Sequence, residues 1–105
     1  MVGCKTEQGR SGFNLFLMII YKHQLKEKTK QEILIPKQAR IISVKDQLGV
    51  TCLWYTCSTG VENVSRIIYI FMTGQAFDED INKLSFIGTV ITADNFVLHI
   101  FEEKL

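Results

Sequence analysis

The sequence predicts an all-β fold, a small antiparallel β-sandwich or barrel of about seven strands. Apolar residues alternate with polar ones or form short blocks, and no window of a dozen residues keeps the 3.6-residue spacing of an amphipathic helix. The apolar segments recur about every 8 to 12 residues and are separated by polar turns, which is typical of sandwiches and barrels. A chain of 105 residues, 47% of them hydrophobic, fits one globular domain.

The first half of the chain contains four predicted strands. Pro36 ends the second strand, and since proline lacks an amide donor it belongs at a strand end or at a sheet edge. Asp46 and Gly49 supply turn chemistry between the third and fourth strands, so we expect a hairpin there. The four strands are placed at 19–25, 32–35, 39–44 and 50–57.

The second half contains three further strands, predicted at 66–72, 86–92 and 96–102. The longest connection, 74–85, is expected to hold at most a short helical turn near 78–83, and the last two strands form a hairpin around 93–95. All three strands are apolar on both faces, whereas a two-layer sandwich leaves one face of each sheet in water. We therefore expect another subunit to cover the second face, which predicts a homo-oligomer.

The N-terminal residues 1–17 are interpreted as a leader or extension, and residues 18–105 as a single β domain. The apolar run FNLFLMII is only eight residues long and is not followed by a small-residue cleavage site, so it does not resemble a signal peptide. A transmembrane helix would need about 20 apolar residues. These observations predict a cytoplasmic protein with no membrane partner, in which translation starts at Met1 or at Met18.

The charges are distributed unevenly along the chain. Residues 1–57 contain nine Lys/Arg and four Asp/Glu, whereas residues 58–105 contain three and seven. Either both sets simply face water, or the basic residues form a patch that meets an anionic partner or the acidic patch of another subunit. The partner would be a small anionic ligand or a host protein. The proposed ligand- or partner-binding residues are Lys22, Lys26, Lys28, Lys30, Lys37 and Arg40, with Lys45 nearby and Trp54 as an aromatic candidate.

The segment GVTCLWYTCS, residues 49–58, is predicted to be a strand rather than a cysteine site. In a strand, Cys52 and Cys57 point to opposite faces and lie about 16 Å apart, too far for a mutual disulfide or a shared metal ion. Both are interpreted as buried free thiols, which favours a reducing compartment. Trp54, the single tryptophan, either anchors core packing or forms an exposed stacking platform.

Motifs for catalysis, for cofactors and for metal binding are not found, so we expect no enzymatic activity and no cofactor. The chain contains no phosphate-binding glycine loop, no G-x-S-x-G elbow and no H-E-x-x-H. His99 lies in an apolar strand and is interpreted as a core or interface residue hydrogen-bonded through one nitrogen. His23 is expected to be solvated. The acidic residues 78–80 lack the spacing of a calcium loop and are interpreted as a solvated loop or a helix start.

An ordered set of short motifs resembles a known family. The set comprises Tyr21-Lys22, Ile33-x-Ile35-Pro36, Ile41-Ile42-Ser43-Val44, Leu53-Trp54, Thr73-Gly74, Phe86-Ile87-Gly88-Thr89 and Leu98-His99-Ile100-Phe101-Glu102. Over residues 19–103 it resembles a family of small uncharacterised proteins, a domain of unknown function common in bacteriophages and prophages. The resemblance implies a phage or prophage source and the infected bacterial cytoplasm as its setting. Gln75 stands where the family has a histidine after Thr-Gly.

These observations lead to one main hypothesis and two alternatives. The main hypothesis is a non-enzymatic, oligomeric binding module that acts in host takeover or counter-defence by sequestering a partner or a small anionic ligand. The first alternative is a structural or assembly component of a phage. The second is a barrel that binds single-stranded nucleic acid, with Trp54, Tyr55 and Tyr69 as stacking groups over a positive groove.

Overall fold

A computed structural model of the chain describes residues 17–105, and within this range the protein is all-β. Seven strands and a single 3-10 helix follow one another, and each strand corresponds to a predicted one with small differences at the ends. The strands are β1 (Met18–Gln24), β2 (Lys30–Pro36), β3 (Arg40–Gln47), β4 (Val50–Ser58), β5 (Asn63–Met72), β6 (Leu84–Ile91) and β7 (Val97–Glu103). The 3-10 helix, Ile81–Lys83, lies in the connection where a helical turn was predicted.

The strands form two antiparallel sheets that pack face to face as a β-sandwich. Sheet A contains three strands in the order β1-β4-β3, and sheet B contains four in the order β2-β5-β7-β6. Pro36 ends β2, an edge strand, where its missing amide hydrogen breaks no ladder. The sandwich alternative of the prediction is therefore confirmed, while the strand order was not predicted.

The core lies between the sheets and follows from period-two alternation along each strand. On β4, Leu53, Tyr55 and Cys57 point inward, and on β5 the inward residues include Ile68 and Ile70. Each fully buried aliphatic side chain contributes about 1.5 to 3 kcal/mol relative to an exposed one. The two sheets are thus held together by alternate residues of strands that the sequence pattern had already identified.

The β3–β4 connection is the predicted hairpin. Gln47 pairs with Val50, which leaves Leu48 and Gly49 as a two-residue loop. Both have positive φ, 53° at Leu48 and 89° at Gly49, as tight hairpin turns require. The amide of Gly49 donates to a carboxylate oxygen of Asp46, so the turn residues named from the sequence are the ones that form it.

The second apolar face of sheet B is covered in part by the chain itself. Phe77, from the long connection before the 3-10 helix, stacks on Phe71 with ring centroids 3.9 Å apart. Phe71 and Tyr69 are consequently buried, although both point away from the core between the sheets. Phe86 and Ile91 on β6 remain exposed. The expectation that a second subunit covers this face therefore concerns β6 and not β5.

The structure tests the predictions for the two cysteines of β4 but not the prediction for the proposed leader. The proposed leader, 1–17, lies outside the described residues except for Leu17. Cys52 is a buried free thiol, as predicted. Cys57 is buried and disulfide-bonded, so the free-thiol prediction is wrong for it. Between residues 17 and 105 no helix has the length and apolarity needed to cross a bilayer.

Candidate functional site

The structure does not bring the predicted basic residues together on one surface. Lys22, Arg40 and Trp54 share the outer face of sheet A, because they pair across β1, β4 and β3. Lys26 and Lys28 lie in the β1–β2 connection and line a cleft at one end of the sandwich. The predicted basic residues are therefore divided between two separate candidate sites, and neither site contains all of them.

Two of the predicted residues belong to neither site. Lys30 begins β2 on the outer face of sheet B, where its ammonium lies 5.7 Å from the centroid of the Tyr69 ring. Lys37 follows the other end of β2, about 20 Å away along the strand. Its backbone amide donates to the carbonyl of Glu62 at 2.7 Å. These lysines are part of the surface around sheet B and are too far apart to act on one ligand.

The first candidate site is a cleft at the end of the sandwich. It has a volume of about 750 Å³ and opens between the β1–β2 connection, the β3–β4 hairpin and the β6–β7 hairpin. This volume lies within the range of about 300 to 1,000 Å³ that small-molecule sites occupy. The walls are apolar and are formed by Leu25, Val50, Ile70, Phe96 and Leu98.

The rim of the cleft carries charges of both signs. Lys26 and Lys28 line it from the β1–β2 connection together with Glu27 between them, and Asp94 lines it from the β6–β7 hairpin. All four side chains are exposed, so they can reorient toward a ligand without losing a partner in the described structure. A molecule held here would place an apolar body against the walls, an anionic group at the lysines and a hydrogen-bond donor near a carboxylate.

Gln31 fixes the backbone that carries the two rim lysines. Its side-chain oxygen accepts from the amide of Lys26 at 2.9 Å, and its side-chain nitrogen donates to the carbonyl of Lys26 at 2.8 Å. The same nitrogen lies 3.4 Å from the carbonyl of Lys28. Gln31 is itself buried, so these bonds are shielded from water. The β1–β2 part of the rim is therefore hydrogen-bonded to a polar residue that the sequence analysis did not single out.

The aromatic candidates are placed differently from one another. Trp54 points away from the core and is half-buried on the outer face of sheet A, so its interpretation as a core anchor is wrong and the platform alternative stands. Tyr55 and Tyr69 are both buried, with 8% and 4% of their surfaces exposed. Because a stacking residue must present a ring face to the ligand, these two tyrosines cannot serve as platforms.

His99 lies on the outer face of sheet B between two threonine hydroxyls. Its Nε2 is 2.8 Å from Oγ1 of Thr73, and its Nδ1 is 3.1 Å from Oγ1 of Thr89. Both ring nitrogens are therefore engaged, not one as expected. A neutral imidazole carries one donor and one acceptor, and two hydroxyls satisfy both. Gln75, the residue that departs from the family pattern, uses its side-chain oxygen to accept from the amide of Met72.

His23 is not the solvated residue that the sequence suggested. It pairs with Leu53 and so faces the inside of sheet A, where partial burial lowers the pKa of its imidazole. The histidines and carboxylates also do not assemble a metal site: within residues 17–105, no three His, Cys, Asp or Glu side chains are grouped so that they could hold an ion.

Arg66 is a buried charged residue that stabilises the fold and lies in neither candidate site. It is buried between the sheets, and its guanidinium forms an ion pair with Glu102 and donates to the carbonyl of Ala39 at 2.8 Å. A charged residue inside an otherwise apolar strand indicates a buried partner, and this signal was present in the sequence. The pair closes the end of the sandwich opposite the cleft.

Comparison with known proteins identifies a family but no characterised relative. Neither the curated proteins nor the solved structures include a match to the chain. Residues 18–105 match a domain of unknown function, DUF7352, whose range begins at the first residue of β1 and includes both candidate sites. The chain therefore belongs to the DUF7352 family of domains of unknown function.

Proposed function

We propose that this protein is a non-enzymatic binding module that sequesters a small anionic ligand in the cleft at the end of its sandwich. The observation that carries the proposal is a cleft of about 750 Å³ with apolar walls and with Lys26 and Lys28 at its rim. Binding sites for small molecules are commonly concave and apolar, with a few polar groups that fix orientation. The cleft has this composition, and Gln31 holds its rim in place.

The charges around the cleft define the class of ligand. Two ammonium groups at the rim favour a phosphate or carboxylate, and the apolar walls favour a flat or hydrocarbon body. Glu27 and Asp94 favour a hydroxyl or amino group elsewhere on the same molecule. A nucleotide-like molecule combines these three features, so it is the class that we propose.

The source, compartment and assembly are part of the same proposal. The ordered motifs between residues 19 and 103 support a phage or prophage origin, and with it action in the host cytoplasm, in takeover or counter-defence. The exposed Phe86 and Ile91 on β6 support a homo-oligomer, since apolar groups of this size are normally buried by a neighbour. A structural role in a phage particle remains the alternative, and detection of the chain in purified virions by mass spectrometry would support it.

Native mass spectrometry of the protein purified from bacterial cytoplasm tests the proposal. We expect assemblies that weigh a whole number of chains plus the mass of a retained small molecule. The double variant Lys26→Gln/Lys28→Gln should lose that mass, because the anionic group no longer meets a cation at the rim.

A matched control removes the same charge elsewhere. Lys22 and Arg40 are exposed on the outer face of sheet A, so Lys22→Gln/Arg40→Gln should retain the ligand. Retention by all three proteins would show that the rim lysines do not hold the ligand. Assemblies of wild-type protein without excess mass, both before and after incubation with a small-molecule extract of the host, would overturn the proposal.

A further inference from the structure

The outer face of sheet A is a second surface with a composition of its own. The strands of sheet A carry three basic residues and one acidic residue, whereas those of sheet B carry two basic and three acidic. Asp46 is the single acidic residue in the strands of sheet A. Its side chain points away from the outer face, and its carboxylate accepts a hydrogen bond from the amide of Gly49. The strands of sheet A therefore carry a net positive charge and those of sheet B a net negative one, with His taken as neutral.

Three cations surround one partly exposed aromatic ring on this face. Lys22 on β1 is the direct cross-strand partner of Trp54 on β4. On β3, Arg40 pairs with Thr56 and Lys45 pairs with Cys52, the residues two positions to either side of Trp54. Direct cross-strand partners lie about 5 Å apart and diagonal ones about 7 to 8 Å apart. Within the described residues, no carboxylate shares this face with them.

The remaining exposed residues of sheet A are both polar and apolar, and the apolar ones include Met18 and Ile20 on β1 and Ile42 on β3. Ser43, Gln47 and Thr56 alternate with the cations around Trp54, and Nζ of Lys22 donates to the side-chain oxygen of Gln47 at 2.6 Å. This partner is neutral, so the positive charge of Lys22 is not cancelled. The hydroxyl and amide groups offer hydrogen-bond partners to the sugars and bases of a nucleic acid.

From this juxtaposition we infer that the outer face of sheet A binds single-stranded nucleic acid, with Lys22, Arg40 and Lys45 contacting phosphates and Trp54 stacking on a base. A strand that is not paired offers both partners at once, a line of negative charge and open base faces. A duplex would offer only its phosphates, because its bases are already stacked. The inference is independent of the cleft, which lies at the end of the sandwich and is lined by other residues.

The fluorescence of Trp54 provides the test, since the chain contains no other tryptophan. The probes are oligo-deoxythymidine and oligo-uridine of about 15 nucleotides, near the upper end of common site sizes. We expect quenching on titration, and an affinity that falls with salt with a logarithmic slope of about −2 for three phosphate contacts. With labelled oligonucleotide and anisotropy detection, Trp54→Leu should bind roughly 5- to 100-fold more weakly.

Two double variants with the same loss of charge separate this surface from the cleft. Lys22→Gln/Arg40→Gln should lower the salt slope to about −0.7, whereas Lys26→Gln/Lys28→Gln should leave both the slope and the quenching unchanged. Equal weakening by both pairs would overturn the inference, since it would indicate only general attraction to a cation. Absence of oligonucleotide binding at low salt would also overturn it. So would quenching of Trp54 by anionic vesicles or by poly-glutamate in the absence of oligonucleotide.

Discussion

Arg66 on β5 and Glu102 on β7 form a two-point ion pair inside the sandwich. Nε and Nη2 of the arginine contact the two carboxylate oxygens, the second at 3.0 Å, while Nη1 donates to the carbonyl of Ala39 just before β3. The side chains are only 6% and 12% exposed. One residue therefore joins two strands of sheet B to the beginning of a strand in sheet A.

Removal of one partner of this pair should be strongly destabilising. We expect Arg66→Met to lower the free energy of unfolding by about 3 to 5 kcal/mol, because Glu102 would be left as an unpaired buried charge. The double variant Arg66→Met/Glu102→Met should lose much less than the sum of the single variants. Urea denaturation of the four proteins measures the coupling, and additive losses would show that the two side chains do not depend on each other.

The β3–β4 hairpin contains a residue that is poorly suited to its backbone. Leu48 has a φ of 53° and is 98% exposed, so it carries the cost of a left-handed conformation without any gain from burial. We expect Leu48→Asn to raise the free energy of unfolding by about 1 kcal/mol, since Asn-Gly is the favoured pair in this turn. Measurement is by urea denaturation.

Gly49 provides the control for this prediction. A Cβ at Gly49 would meet nothing within 4 Å, so Gly49→Ala changes only the conformational preference at a φ of 89°. It should destabilise the protein. If both substitutions left the stability unchanged, the turn would not have the conformation described.

Gln31 should stabilise the cleft rim more than the fold. Gln31→Met removes the bonds to Lys26 and leaves its backbone groups to water, which costs about 1 kcal/mol. We expect faster hydrogen exchange at the amide of Lys26 and weaker ligand retention. Gln24→Met, at an exposed glutamine on β1, is the comparison and should change neither. Unchanged exchange at Lys26 in Gln31→Met would contradict the assigned role.

His23 should make the protein less stable in mild acid. Burial lowers the pKa of this imidazole in the folded state below its ordinary value of 6.5, so the unfolded chain binds more protons. Its neutral form therefore supports folding above pH 6.5, and this support is lost as the pH falls through 6.5 toward the folded pKa. Urea midpoints measured between about pH 7.5 and 5 should fall more for wild type than for His23→Gln. Parallel curves would contradict the burial of the ring.

The strands could be predicted because their signal is local. The alternation in β4, the proline that ends β2 and the turn residues Asp46 and Gly49 each act within a few positions of the chain. The sandwich followed from the number and spacing of such segments. The order of strands within each sheet did not follow, since it depends on contacts between residues far apart in sequence.

The candidate sites could be predicted only in part for the same reason. The basic residues between 22 and 45 are close in sequence, but β1, β2 and β3 alternate between the sheets and carry them to different surfaces. Lys22 is brought beside Trp54, while Lys26 faces the β6–β7 hairpin across the cleft. The role of Gln31 depends on a turn geometry that a single sequence does not reveal.

The most direct test of the central claim is to map the ligand onto the backbone amides. Spectra of nitrogen-15-labelled protein would be compared before and after addition of a protein-free small-molecule extract of bacterial cells. We expect shifts confined to the cleft, chiefly in its lining segments 26–29, 49–51 and 92–94. Unchanged amide positions in these three segments, whether or not others move, would contradict the assignment of the cleft as the binding site.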